Sequence, residues 1–318
     1  RNHPCYSGGD FPPWINKFYI LDLTAQNSLI KWLVSQGLTV FVVSWINPDA
    51  SYKDVSLEDY IEHGYLQALQ TVRIATGQDK VNAVGYCIGG TTLALTLALL
   101  KQRDERLINS ATFFTTLTDF SDQGEFLPFL QNDFIDGIEQ EVGAKGILES
   151  YIMARTFSFL RSNDLIYTPA IKSYMLGKAP PAFDFLFWNG DGTNLPGVMA
   201  HQYLRRLCQN NEFAEGGFAV FGEVLKISDV ETPFCSSRPP PRSGWRGLRR
   251  PRPSSCRGFP PQGDAAPARR CRRYTFPAAC GQARAPQGLR SRRRCNRRLP
   301  PRRGGRLAYR SFFFCSGR

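Results

Sequence analysis

The chain has 318 residues, 42% of them hydrophobic and 21% charged, with a formal net charge of +13, which is enough apolar material for a substantial core in one large domain or two ordinary ones. The charge is unevenly spread: from Cys235 to the C-terminus there are 23 Arg, no Lys and one acidic residue, Asp264, a net of +22, which leaves residues 1–234 with 17 basic and 26 acidic side chains, a net of −9. The basic balance therefore belongs to the tail alone, and the most apolar long stretch, 91–100, is too short and too rich in threonine to span a bilayer. Cys5, Cys87 and Cys208 are the only cysteines of the first 234 residues, against six in the last 84. Three scattered cysteines without a secretory leader predict a soluble cytoplasmic body with free thiols. The first residue is Arg1, not methionine, and the chain is expected to be a fragment.

In chain order, Pro12 and Pro13 lead into the short apolar run FYILDL, and residues 27–36 carry Leu29, Ile30, Leu33 and Val34 at helical spacing, with Gly37 at the expected C-cap. TVFVVSW (39–45) is rich in β-branched and aromatic residues without alternation, as in a strand covered on both faces. A helix is predicted over 59–75, with Ile61, Tyr65, Ala68, Leu69 and Val72 on one face. VNAVGY is the next strand, a turn holds Cys87, a helix follows over about 91–101, and ATFFTTLTDF is strand-like. This β-α-β-α-β order predicts an α/β fold with a mainly parallel sheet and helices on both faces. Residues 121–197 are different. Helical segments such as ILESYIMARTFSFL alternate with SNDLIYTP, LGKAPPAFD and FWNGDGTNLPG, and aromatics are dense. That predicts a helical lid over the carboxyl edge of the sheet, where open α/β sheets bind ligands. A helix and the extended run FAVFGEVLKI follow His201, and a further core strand starts at ETPF.

From Ser236 onward Arg, Pro, Gly, Ala and Cys recur without helical or strand periodicity, and 12 prolines leave no room for ordered secondary structure longer than a few residues. Phosphate neutralisation by arginine, with stacking on Tyr274 and Phe276, is one reading of this tail. The absence of lysine, the scattered cysteines and five abundant residue types with GC-rich codons favour the other, a shifted reading frame that begins in mid-strand at 234–236.

The stretch VGYCIGGTT places Cys87 between a strand and a helix, with Gly85 and Gly89 at minus two and plus two and Gly90 beyond. This is the G-x-C-x-G form of the nucleophile elbow, with sulfur where serine oxygen is usual. The turn strains the central residue, and side chains at Gly85 or Gly89 would collide across it. The Ile88 amide, at a helix N-terminus, would face a reacting carbonyl and favour thiolate. A buried filler thiol is the bland alternative; the strand before, the helix after and the lid favour the nucleophile.

PPWINKFYILDL, VSWINPD, DYIEH, GYCIGGT, RTFSFLRSNDLI and PPAFDFLFWNGDGTNLPG stand in this order, and from about Pro12 to Phe234 the chain resembles a polyhydroxyalkanoate (poly-3-hydroxybutyrate) synthase of the short-chain class I type. The resemblance implies an α/β-hydrolase fold with a helical cap, homodimerisation, and work at the surface of cytoplasmic polyester granules. The substrate it implies is an (R)-3-hydroxyacyl-CoA, with 3-hydroxybutyryl-CoA the expected member. The substrate itself carries coenzyme A, and no further cofactor, metal, nucleic acid or transmembrane segment is expected. Carried over, Cys87 would be the nucleophile that holds the acyl chain as a thioester, the Ile88 amide one oxyanion donor, and the Ile15 amide, in the 14–16 loop, the second. Asp22 and Trp188 lie in matched motifs with structural roles expected.

The boundaries that follow are an abnormal N-terminal segment (1–12), the hydrolase core (13–120), the cap (121–200), a core continuation (201–235) and a disordered, out-of-frame tail (236–318). In the family the general base is a histidine in a Gly-His-Ile segment and its partner an aspartate in Asp-His-Ile. Both belong beyond Phe234, where this chain reads SSRPPPRSG, and no histidine follows His201. RNHPCYSGGDF also stands where the family has an apolar strand. His3 belongs to that abnormal segment, and His63 and His201 are expected on helices away from the sulfur. Asp119, Asp133, Glu139 and Glu141 read as solvated or lid-surface charges. The Cys87 thiol is expected near its free value of about 8.5, helped only by the helix terminus, and the chain is expected to be inactive or nearly so. A cysteine-variant hydrolase (depolymerase or thioesterase), with water as acceptor, is the alternative on the same fold; nucleic-acid binding through the tail is the alternative from another class.

Overall fold

The computed structural model describes residues 7–160, 162–179, 184–236 and 309–315. The chain divides into two compact units, Arg1–Arg250 with Asn296–Arg318, and Pro251–Cys295. All described residues belong to the first.

At its centre, strands β1 (Ser7–Phe11), β2 (Thr39–Trp45), β3 (Val81–Tyr86), β4 (Ile108–Phe114) and β9 (Phe234–Ser236) run parallel. With β10 (Tyr309–Cys315) they form a six-stranded sheet in the order β10-β2-β1-β3-β4-β9. Parallel neighbours need crossovers. These are supplied by α1 (Leu29–Ser35), by a continuous helical segment built from α2 (Leu57–Asp59), a π-wound stretch (Tyr60–Leu66) and α3 (Gln67–Thr76), and by α4 (Ile88–Gln102). Ser56 and Asp59 close a reciprocal capping box at the start of the second crossover, and Gly77, at φ 69°, ends it in the left-handed region. Helix α4 is buried from Ile88 through Leu100. Such a helix is apolar all round because it has no solvent face.

Two smaller pairs, β5 (Ile147–Leu148) with β6 (Leu195–Pro196) and the hairpin β7 (Phe218–Val220) with β8 (Glu223–Leu225), lie outside the main sheet. Between β4 and β9 the chain is mostly helical: α5 (Asn132–Lys145), α6 (Ser150–Leu160), α7 (Thr168–Ala170), α8 (Asp184–Gly190) and α9 (Gly197–His201), with π-wound turns at Asn163–Tyr167, Ile171–Met175 and Gln202–Gln209. Phe129 meets Phe134 and Phe159 edge-on at 5.4 and 5.6 Å, so the aromatics of this block pack on one another. The Gln202–Gln209 turn is tied to α5 through Arg205, which donates to Glu139, Asp136 and Asn132.

The main core joins α3, α4 and the helical block to one sheet face, while a smaller cluster of Ile30, Val40 and Val42 packs α1 on the other. Coverage of that second face is narrow. On β3, Val81, Ala83 and Gly85 are buried while Asn82, Val84 and Tyr86 remain half-exposed, so the two-sided covering expected of the sheet holds at β2 better than at β3.

Two segments depart from the sequence-based expectation. Ser7–Phe11, within the stretch expected to break the pattern, forms β1 and lies between β2 and β3. Tyr309–Cys315, inside the tail expected to carry no such element, forms β10 and pairs antiparallel with β2, from Cys315 beside Val40 to Tyr309 beside Trp45. YRSFFFC is an apolar, β-prone run, and β2 has an outer edge of backbone donors and acceptors that any extended segment can satisfy. The remainder of the tail, 237–308 and 316–318, lies outside the described residues, as do His3 and Cys5.

Strand β1 brings a cost into the core. Asp10 is 3% exposed, and neither carboxylate oxygen has a hydrogen-bond partner. Its backbone neighbours across the sheet are Val42 and Val84. Burial pushes its carboxyl from 3.8 up to about 7. A raised carboxylate binds its proton more tightly in the folded state than in the unfolded chain. Its contribution is therefore neutral in acid, and stability falls as the pH rises from about 4 through about 7. A displacement of that size amounts to roughly 4 kcal/mol of destabilisation at pH 8. Asp10→Val should raise the urea midpoint at pH 8 and remove this slope between pH 4 and 7; equal pH slopes for the two proteins would contradict the assignment.

Candidate active site

Strand β3 ends at Tyr86 and α4 begins at Ile88, so Cys87 alone makes the turn, at φ 52° and ψ −127°. A residue with a Cβ adopts this conformation only when its surroundings hold it there. The holding contacts are backbone ones. The Cys87 amide donates to the Phe114 carbonyl at the end of β4 (2.9 Å), and the Cys87 carbonyl accepts from the amides of Gly90 (2.9 Å) and Thr91 (3.2 Å).

The three glycines are required by close approach. A Cβ on Gly85 would stand 2.6 Å from the Gly90 Cα, and one on Gly89 2.5 Å from the Phe11 carbonyl oxygen and 2.6 Å from that of Pro12. On Gly90 it would meet Thr116 Oγ1 at 2.0 Å. Gly85 and Gly90 thus fold the elbow on itself, and Gly89 lets the exit of β1 lie directly on the first turn of α4.

An aromatic layer fixes the loop that leaves β1. Phe11 stacks on Tyr65 at 4.4 Å, and Tyr65 Oη donates to the Gly89 carbonyl (2.7 Å). Trp45 Nε1 donates to the Pro12 carbonyl (2.8 Å), and Trp14, fully buried, donates through Nε1 to Thr92 Oγ1 on α4 (3.1 Å). Ile15 is buried, and its carbonyl accepts from the Thr193 amide (2.9 Å). Asn16 bridges to Gly192, and Trp188 Nε1 donates to the Lys17 carbonyl (2.7 Å). Asn194 takes the Asn47 side chain and the Pro48 carbonyl. Three stretches far apart in sequence, PPWINK, WINP and WNGDGTN, therefore meet beside the elbow. Trp188 acts here as a clasp, and Asp22 forms a local bridge to Ser28.

Cys87 is half-buried, and burial pushes its thiol above the ordinary value, with only partial offset from the Ile88 amide. The expected near-normal thiol is corrected in this respect, because enclosure by protein outweighs the helix terminus. The candidate histidines are committed elsewhere. His63 Nε2 lies 4.0 Å from Asp59, and exposed His201 donates or accepts through Nδ1 at 2.6 Å from Glu139.

The acidic residues read as solvated charges are more engaged than expected. Glu139 sits between Arg205 and His201, which hold its carboxyl below the usual range. Asp119 accepts from the Ser121 amide and from Asn211, and Glu141 pairs with Lys145 at 2.8 Å. Asp133 is exposed, as expected.

Two residues of the Gln202–Gln209 turn carried no sequence signal. Tyr203 meets Trp14 edge-on at 5.3 Å, and buried Cys208 accepts through its carbonyl from Gln123 (2.7 Å). Burial pushes the Cys208 thiol up to about 12.

The profile of the alpha/beta hydrolase fold family matches residues 11–229. The chain is 46% identical over 222 residues to a poly(3-hydroxyalkanoate) polymerase of Methylorubrum extorquens, covering 70% of this chain and 37% of that protein. It is 42% identical over 223 residues to the polymerase subunit of Rhizobium meliloti (70% and 36%) and 42% over 228 residues to that of Cupriavidus necator (70% and 39%). The chain thus spans little more than a third of the length of these curated relatives. It belongs to the alpha/beta hydrolase fold family, and its resemblance to the polyhydroxyalkanoate synthases within that fold is borne out.

Proposed function

We propose that this chain carries the acyl-accepting part of a polyhydroxyalkanoate synthase, an acyltransferase that polymerises (R)-3-hydroxyacyl units from coenzyme A thioesters, 3-hydroxybutyryl-CoA foremost. The observation that carries the proposal is Cys87 itself, the one residue between β3 and α4, held at positive φ by contacts that only glycine allows. Filler thiols do not require such a turn.

In the first step the Cys87 thiolate attacks the substrate carbonyl carbon. The carbonyl oxygen becomes an oxyanion facing the Ile88 amide, with the Ile15 amide as the second donor. Collapse breaks the carbon–sulfur bond to coenzyme A, which leaves as a thiolate and takes a proton from solvent, and the acyl group stays on Cys87 as a thioester. In the second step the 3-hydroxyl of another unit attacks that thioester, an ester bond forms, and the sulfur of Cys87 is released. The attacking hydroxyl must lose its proton, so this step needs a base within hydrogen-bond reach. His63 and His201 pair with Asp59 and Glu139, which supports the reading that this chain lacks the base and turns over little if at all. Loss of such a group costs roughly ten-thousand-fold or more in rate.

The setting proposed is a homodimer at the surface of cytoplasmic polyester granules. Exposed Phe126, Leu127, Phe159, Tyr174, Met175 and Phe187 in the helical block support contact with an apolar surface. No helix among the described residues is long and apolar enough to cross a membrane.

Release of coenzyme A from 3-hydroxybutyryl-CoA tests the chemistry directly. The expected result is a burst on the order of one CoA per chain without sustained turnover, abolished by Cys87→Ala. Turnover at a polymerase-like rate would contradict the missing base, and a burst that survives Cys87→Ala would contradict the nucleophile.

The pH dependence follows from the raised thiol. Alkylation of Cys87 by iodoacetamide should climb with pH to a midpoint above that of a free cysteine peptide measured alongside, because the reactive thiolate is the form that burial disfavours. A midpoint at or below the peptide's would show that the helix terminus outweighs burial.

A further inference from the structure

We propose that Thr91 is a positioning residue for Cys87: its amide holds the Cys87 carbonyl while its hydroxyl ties the same turn of α4 to the exit of β4, so that the backbone carrying the nucleophile is fixed for attack. The proposal rests on the reading of Cys87 as the nucleophile.

Helix α4 contains its own comparison. A threonine inside a helix can turn its hydroxyl back to the carbonyl four residues before it. Thr92 does so to Ile88 (3.2 Å), and Thr96 does so to Thr92 (2.8 Å). The carbonyl four residues before Thr91 is that of Cys87, and it takes main-chain donors, the amides of Gly90 (2.9 Å) and Thr91 (3.2 Å). The Thr91 hydroxyl leaves the helix instead. Although Thr91 is only 1% exposed, it reaches a carbonyl 26 residues away in sequence, that of Leu117, at 2.5 Å.

Leu117 belongs to a turn built against the elbow. Strands β3 and β4 end side by side, Tyr86 opposite Phe114, and each is followed by a residue at positive φ, Cys87 at 52° and Thr115 at 45°. Thr115 is β-branched, so it takes this conformation only where its surroundings impose it. The Phe114 carbonyl accepts both from the Cys87 amide (2.9 Å) and from Thr116 Oγ1 (3.2 Å). Thr116 also lies over Gly90, where an added Cβ would meet its hydroxyl at 2.0 Å. One residue further, the Leu117 carbonyl meets Thr91. The exit of β4 thus engages residues 87, 90 and 91, while Tyr65 and Trp14 bond Gly89 and Thr92 of the same turn.

Among these ties, Thr91 joins the nucleophile and a second element through a single residue. Without its hydroxyl the carbonyl of Leu117, whose side chain is exposed, can turn to solvent, so the helix still forms but the elbow is free to drift against the end of β4. Acyl transfer needs the sulfur and the oxyanion donors aligned together. Alkylation of a thiolate needs the sulfur alone.

Two probes separate these demands in the full chain. One is acylation by p-nitrophenyl butyrate, read as the burst of p-nitrophenolate that Cys87→Ala abolishes; the other is alkylation by iodoacetamide, read by mass spectrometry of the Cys87 peptide. Thr91→Val keeps the branched shape and should slow acylation about tenfold while leaving alkylation within about twofold. Thr91→Ser keeps the hydroxyl and should bring acylation back to within about threefold of the unsubstituted chain. Thr96→Val removes a back-bonded hydroxyl of the same helix and should leave both probes unchanged. A merely structural role would lower the melting temperature without separating the probes. The proposal is overturned by unchanged acylation in Thr91→Val with a cooperative melt retained, by an equal fall in both probes, or by a Thr91→Ser as slow as Thr91→Val. If Thr91→Val does not fold, Thr91→Ala, a better helix former that lacks the same hydroxyl, takes its place with the same expectations. Because the p-nitrophenyl ester carries no coenzyme A, Cys87-dependent acylation by it without release from 3-hydroxybutyryl-CoA overturns only the polymerase reading. Acylation that does not depend on Cys87 overturns the nucleophile and the role of Thr91 with it.

Discussion

The approach of Gly89 to the carbonyls of Phe11 and Pro12 governs the geometry around it. Main chain meets main chain there, at distances where a single added carbon would stand 2.5 Å from an oxygen. Contact of this kind fixes position more tightly than contact between flexible side chains, because neither partner can move without moving a strand or a helix. One consequence is that the loop leaving β1 lies on the first turn of α4, the turn that begins at Ile88. A second is that the aromatic layer of Phe11, Trp14, Trp45 and Tyr65 has only one way to close, since Tyr65 bonds the Gly89 carbonyl and Trp45 the Pro12 carbonyl.

The helical block depends on the same contact at one remove. Its Trp188 and Thr193 grasp the backbone of Lys17 and Ile15, and its Tyr203 rests on Trp14. The block is therefore anchored to the loop as well as to the sheet, so a shift in the loop would carry Ile15 and Tyr203 together. For the proposed chemistry a misplacement of about 1 Å would cost rate, and main-chain clasps limit such displacement.

How much of this was legible in the sequence differs from place to place. The elbow was readable because its constraint is local: a strained turn between a strand and a helix demands glycine at fixed offsets, and Gly85, Gly89 and Gly90 record that demand. The parallel order was readable from period and length, and the further core strand expected to start at ETPF (231–234) overlaps β9 at Phe234. Tyr203 and Cys208 were not readable, since a tyrosine and a cysteine five apart fall on different faces of the α-helix their sequence suggests; only the π-winding, itself set by tertiary packing, aligns them. Asp10 was unreadable for the opposite reason. Its sequence argues against a buried strand, and the pairing available between β2 and β3 prevails over it. The same holds for Tyr309–Cys315, where the free edge of β2 outweighs the composition of the surrounding tail.

Burial at Cys87 works in two directions at once. Enclosure disfavours the thiolate, which is the attacking form, yet it also strengthens any hydrogen bond offered to an oxyanion in the same space. A site that needs both must stabilise sulfur charge by dipoles fixed in place rather than by solvent, and the Ile88 amide alone leaves the thiol above its ordinary value. In a triad a base supplies the rest by taking the proton as the nucleophile attacks. Here both histidines among the described residues lie against carboxylates, His63 at 4.0 Å from Asp59 and His201 at 2.6 Å from Glu139. In the proposed mechanism the two steps therefore make different demands on the site: acylation of the sulfur needs a stabilised thiolate and oxyanion, while transfer to the next unit also needs an acceptor for the hydroxyl proton.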